Sequence, residues 1–266
     1  MTEPSAGLEQ EETEHDVDLI HECVVKMAKE ISDFMNITPD KQRMDSLMVA
    51  ANIRNLSLLE LFYTCVSNLC KIMNERGTKI PDEQHHYIEK DDYNKCIYHK
   101  RDMDATERTI VVMKDADILI KICDSTGDFD DTSEYQLLIR LLKERTIIDD
   151  DGSRRLRQKE EVENPSEVLL NPSDPEATFR YKAGGKHLGY VGNIVESVGE
   201  NGSLIIDYDY QQNTYADNQF MKDYLKRKKD FSDGSFLVAD GTYSGEKNSR
   251  LASEHNLKLV TTNFTG

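Results

Sequence analysis

The run Phe236-Leu-Val-Ala239, ended by Asp240 and broken at once by Gly241-Thr-Tyr-Ser-Gly245, constrains the fold more than any other stretch. Four consecutive apolar residues between turn signals suit a strand buried on both faces, as in parallel sheets. A helical pattern over 246–254 follows, then a second apolar strand from Leu257 to Thr262. Open α/β sheets gather their chemistry at the carboxyl ends of strands, so Asp240 is a candidate ligand or catalyst. A plain turn aspartate is the competing reading.

A chain of 266 residues, 38% hydrophobic, can bury a real core and form one or two domains. Its 50 acidic and 33 basic residues give a formal charge of −17. That excludes a broad basic surface, so contact with nucleic acid needs a local patch. Cys23, Cys65, Cys70, Cys96 and Cys123 form no CxxC pair and are odd in number, which fits a reducing cytoplasm. No apolar run is long enough for a membrane span, and no signal peptide is recognisable. Residues 1–15 hold five glutamates and no Lys or Arg, and read as a disordered acidic lead-in.

Taken in order, Ile20, Val24, Met27, Ile31 and Phe34 recur at helical spacing and predict an amphipathic helix over 16–35. The stretch Arg43 to Arg54, with Asp45 early in it, reads equally as a buried strand or as a helix start. Leu56 to Met73 is the clearest helix, with Leu59, Phe62, Tyr63, Val66, Leu69, Cys70 and Met73 on one face. Cys65 and Cys70 stand too far apart for a zinc clip. In the polar stretch 83–104, the adjacent His85 and His86 would point apart and read as surface residues. Two further helices are expected over 106–122 and 133–148. Between them, Asp124, Asp128, Asp130 and Asp131 crowd around Gly127 but lack the closing Glu of an EF-hand, so a solvated acidic loop is expected. The domain reading is a helix and first core strand over 16–54, a helical module over 55–150, a linker over 151–179 with Pro165, Pro172 and Pro175, and a mixed region over 180–266. In that last region, His187 to Val198 and Leu204 to Gln211 alternate around the hairpin signal Glu200-Asn-Gly-Ser203. A helix over 215–229 ends in Lys226-Arg-Lys-Lys229, where cations suit the helix dipole.

Four blocks in this order are familiar. Arg43-Met-Asp-Ser-Leu-Met-Val-Ala-Ala-Asn-Ile-Arg-Asn-Leu-Ser57 resembles the segment around the first catalytic acid of bacterial insertion-sequence transposases of the DDE type. Ala239-Asp-Gly-Thr-Tyr-Ser-Gly245, with Leu259 to Gly266 behind it, resembles the block around the second. Gly189-Tyr-Val-Gly-Asn-Ile-Val-Glu196 and Asn213-Thr-Tyr-Ala-Asp-Asn-Gln-Phe220 are similar to that family as well. The resemblance covers residues 16–266. It implies an α/β chain with an RNase H-like mixed sheet, flanking helices and a large all-helical insertion after the first strand. It also implies that Asp45 and Asp240 are catalytic, metal-binding carboxylates for Mg²⁺ or Mn²⁺. The implied partner is double-stranded DNA, as transposon ends and target, and a homodimer is compatible with it. The family's third acid belongs after the strand at 257–262, beyond Gly266. The chain therefore reads as the middle of a transposase, expected to bind metal weakly and not to transpose alone.

Phosphodiester cutting and joining needs an activated water or 3′-hydroxyl and a stabilised leaving oxygen, which two hard divalent cations held by carboxylates can supply. For DNA backbone contact the candidates are Arg154, Arg155 and Arg157 in the linker, and Arg180, Lys182, Lys186 and His187 before the hairpin. Solvated loop charges are the competing reading of these seven. A phosphatase of the haloacid-dehalogenase type would need an acid where Val238 stands, which disfavours it. The alternative from another class is a catalytically dead, transposase-derived interaction protein working through its helical module.

Overall fold

The computed structural model describes residues 18–99, 103–182, 184–228 and 231–262. The acidic lead-in over 1–15, Lys229 of the basic run and the closing residues 263–266 lie outside them. The protein is mixed α/β. Its strands are β1 (Lys41–Ala50), β2 (Thr146–Ile148), β3 (Arg154–Leu156), β4 (Thr178–Lys182), β5 (Gly185–Gly199), β6 (Gly202–Gln212), β7 (Ser235–Asp240) and β8 (Leu257–Thr262). Its helices are α1 (Leu19–Met35), α2 (Leu58–Glu75), α3 (Asp92–Asn94), α4 (Ala105–Thr126), α5 (Ser133–Arg145), α6 (Asp217–Arg227) and α7 (Glu246–Glu254). Six strands make one mixed sheet, ordered β4-β5-β1-β7-β8 with β6 on β5, while β2 and β3 form a separate ribbon. No helix among the described residues is long and apolar enough to cross a membrane. The fold divides into two compact units, one of residues up to Ser46, Asn193–Asp209 and Asp217 onward, the other of Leu47–Gly192 and Tyr210–Ala216.

In the first unit β7 runs parallel to both neighbours. Lys41 to Arg43 of β1 pair with Phe236 to Val238, and Ser235 to Asp240 pair with Leu257 to Thr262 of β8. The ambiguous stretch after Arg43 is therefore a strand, and its burial shows why. Gln42 and Met44 point inward while Lys41, Arg43 and Asp45 face out, a period of two that a helix cannot satisfy. Met44, Leu237, Ala239 and Leu257 pack against Met221, Tyr224 and Leu225 of α6 and Ala252 of α7. Each fully buried large side chain there contributes about 1.5–3 kcal/mol against exposure.

Helix α1 forms where the spacing predicts it. Asp18 caps its start by accepting from the Ile20 and His21 amides, and Asn36 ends it in the left-handed conformation. Its apolar stripe, however, is not its buried face. Phe34 is 91% exposed and Ile20 71%, and within α1 only Ala28 is buried.

The second unit centres on α2. Phe62, Val66, Leu69 and Met73 meet Val112, Met113, Ala116 and Leu119 of α4 and Leu138, Leu141 and Leu142 of α5. The helix predicted over 133–148 stops at Arg145. Thr146, Ile147 and Ile148 instead pair with Leu156, Arg155 and Arg154, since β-branched side chains are stiff at χ1 and suit a pleated ribbon. Residues 151–179, read above as a linker, carry β3 and a buried run from Val168 to Asn171, with Leu169 inside the same apolar cluster.

Candidate functional site

Asp45 lies within β1 and Asp240 closes β7. The parallel register pairs Arg43 with Val238. The pairing of β1 with β7 ends there, two residues before each acid. Both acids nevertheless lie near the Tyr243 hydroxyl, which feels the negative charge of each. They also share a face. Asp45 is exposed and Asp240 half-exposed, whereas Met44 and Ala239 beside them are buried.

Local backbone holds both acids. Asp45 Oδ1 accepts from the Ser46 amide at 2.8 Å. Asp240 caps the 3₁₀ turn Gly241–Tyr243, its Oδ1 accepting from the Thr242 amide at 2.8 Å and from the Thr242 hydroxyl. Such a cap forms because Gly241 and Thr242 end the strand and leave amides in need of an acceptor. These bonds all end on Oδ1 of the two acids.

A buried polar network underlies the acids. Asn193 of β5 donates from Nδ2 to the Tyr243 hydroxyl at 2.8 Å, and to Ser46 Oγ and the Asp45 carbonyl at 3.2 Å each. Ser46 Oγ and the Tyr243 hydroxyl lie 2.5 Å apart. These bonds tie the residue after Asp45 to the turn after Asp240. Burial raises the Tyr243 hydroxyl well above the ordinary tyrosine range, and the negative charges of Asp217, Asp240 and Asp45 add to it against a lowering bond from Ser46. Asp217, buried at the start of α6, is thus a further acid whose field reaches this network. None of Asn193, Ser46 or Tyr243 stands out in the sequence as a site residue, although each falls inside one of the blocks that carry the resemblance. For Asn193 the signal that could have found it is a polar residue at an inward position of an otherwise apolar strand segment. On the acids' side of the sheet, Arg43 Nε donates to Glu196 Oε2 at 2.9 Å.

The seven basic candidates do not join into one patch of free cations. Arg154 pairs with Asp117 at 2.8 Å, and Arg155 bridges Asp149 at 3.0 Å and Glu161 at 2.8 Å. Arg157 donates to the Glu161 and Lys143 carbonyls. In the β4–β5 ribbon, Arg180 pairs with His187 in register and Tyr181 with Lys186, while Lys182 faces Gly185 across the turn. Lys186 stacks its ammonium 4.1 Å from the centre of the Phe179 ring, and His187 Nε2 lies 3.2 Å from the Lys182 carbonyl. The three linker arginines therefore serve local ion pairs and carbonyls.

No protein-family model, curated protein or solved structure matches the chain.

Proposed function

We propose that the protein is a DDE-type transposase, with an RNase H-like sheet and a helical insertion following β1, acting on double-stranded DNA through Asp45 and Asp240. The observation that carries this reading is that two acids far apart in sequence sit on strands that pair in parallel, with the residue after Asp45 hydrogen-bonded to the turn after Asp240. The donor set fits a hard divalent cation, because both groups offer only carboxylate oxygen on an accessible face. Magnesium or manganese, when bound, would supply Lewis-acid activation of the attacking oxygen and stabilisation of the leaving one.

The chain's own residues then have separable tasks. The Ser46 and Thr242 amides fix Oδ1 of each acid, which limits the rotation of both carboxylates before any ligand arrives. Asn193 and Tyr243 hold the two strand ends together beneath the carboxylates, which would otherwise repel each other and splay.

Calorimetric titration of the 266-residue chain with Mn²⁺ tests the reading. Asp45→Ala and Asp240→Ala are each expected to weaken binding about tenfold or more, ~1.4 kcal/mol. Manganese binding that ignores both substitutions would overturn the proposal and favour an interaction protein working through the helices of 55–150.

A further inference from the structure

In the second unit, three donor atoms of different chemistry converge away from the strand acids. His86 lies in the 3₁₀ turn Asp82–Ile88, Asp92 opens α3, and Cys96 falls in the π-turn Lys95–His99 that continues it. Single π-turns within helices recur at functional sites. A ligand atom from each of the three side chains lies within 4.8 Å of the others. Asp92 Oδ2 is the hub: His86 Nδ1 stands 2.7 Å away, the Cys96 thiol 3.5 Å away, and the Tyr63 hydroxyl of α2 donates to it at 2.7 Å.

We propose that His86, Asp92 and Cys96 form a three-ligand site for a zinc-class divalent cation. The donor set selects the metal. A sulfur and an imidazole nitrogen beside one carboxylate suit zinc or its borderline neighbours and discriminate against magnesium and calcium. Zinc bonds of about 2.0–2.3 Å in a tetrahedron set donors roughly 3.2–3.8 Å apart. The sulfur–oxygen separation already meets that spacing, the nitrogen–oxygen contact is shorter than it, and the nitrogen lies within 4.8 Å of the sulfur.

The surroundings suit a bound ion. Asp92 is buried, and a buried carboxylate is costly unless paired or coordinated. Tyr63 supplies the outer hydrogen bond that orients a ligating carboxylate. Its ring packs against those of Tyr87 and Tyr93, with centres 5.2 and 5.3 Å away, and His86 stacks on Tyr87 at 4.1 Å. The His86 side chain is 35% exposed and Cys96 half-buried, so the cluster is not sealed from solvent. This site uses none of the residues of the proposed transposase centre, so either can fail without the other.

Cobalt(II) is the probe, titrated into the metal-free 266-residue chain carrying Asp45→Ala and Asp240→Ala so that the strand acids cannot hold it. One equivalent is expected to bring up a near-ultraviolet thiolate-to-cobalt charge-transfer band. Cys96→Ser should abolish that band, and His86→Ala should weaken cobalt binding by about tenfold or more. Tyr63→Phe should keep the band with affinity reduced by about 10–100-fold. Stoichiometric zinc should bleach it, and millimolar magnesium should not. Far-ultraviolet circular dichroism checks that each variant is folded, and Cys96→Ser, which preserves side-chain size, carries the test if His86→Ala is not. Absence of a saturable band at one equivalent, its survival in folded Cys96→Ser, or bleaching by magnesium would each overturn the proposal.

Discussion

Gly189 illustrates how one missing side chain can set a strand's path. Its φ of +135° belongs to a region that L-residues rarely enter, and a Cβ there would lie 2.3 Å from the Val49 carbonyl oxygen and 2.4 Å from the Ala51 amide nitrogen. Both obstacles are backbone and cannot rotate away. The close approach lets the Ala51 amide donate to the Leu188 carbonyl at 3.1 Å. Gly189→Ala therefore combines backbone strain with a steric overlap and should cost on the order of 2–4 kcal/mol, read as a lowered urea midpoint. A loss below about 0.5 kcal/mol would show that β5 does not depend on this contact. Gly192 makes a useful control, because a Cβ there meets only the Val49 and Leu47 side chains, at 3.4 Å and beyond.

At the scale of elements, legibility followed the range of the forces involved. Strands β7 and β8 and helix α7 were readable because an unbroken apolar run, a Gly-rich turn and an amphipathic pattern are local signals. Strand β1 was not, since Met44, Leu47 and Met48 are compatible with either period until β7 supplies its partner. The pairing of β1 with β7 was likewise a matter of tertiary register, and only a family resemblance set Asp45 and Asp240 together beforehand. The cluster of His86, Asp92 and Cys96 left no recognisable spacing, because a 3₁₀ turn, one turn of α-helix and a π-turn follow one another there. The stripe on α1 was legible as an amphipathic helix, though periodicity reports that a face is apolar, not that it is covered. Helix α2 is the converse case, with a start written plainly as Ser57-Leu-Leu-Glu60. Ser57 Oγ accepts from the Glu60 amide at 3.3 Å, and Glu60 Oε2 accepts from the Ser57 amide at 2.8 Å. Ser57→Ala removes one side of this box and should destabilise the protein by about 1 kcal/mol, with Ser57→Gly less harmful. Equal losses for the two would assign the effect to packing of the Ser57 side chain rather than to capping.

For the whole molecule the governing quantity is an excess of negative charge. With a formal charge of −17, several of its arginines are drawn into partnerships with its own acids, and Arg155 is the clearest instance. Glu161 accepts from both guanidinium nitrogens of Arg155 and from the Gln158 amide. The Arg155 bonds first, and the amide second, hold its carboxyl at about 2 against an ordinary 4.5. The sign follows from linkage. A carboxylate whose pKa is depressed by folding contributes stability that is fully present above the unfolded value and is lost as pH falls toward the folded one. Glu161 thus helps resist acid between about pH 4.5 and 2, a window in which most other carboxylates gain protons and 33 Lys and Arg with 7 His come to dominate the charge. Because the pair is solvent-exposed, its share is that of a screened surface bridge. Urea midpoints of the parent and Glu161→Gln, taken from pH 7 to pH 2, should differ at neutral pH and converge as pH approaches 2. The gap should also narrow in 1 M salt, where screening shortens to about 3 Å. A gap that widens on acidification would mean that the unfolded chain, not the native pair, holds Glu161 ionised.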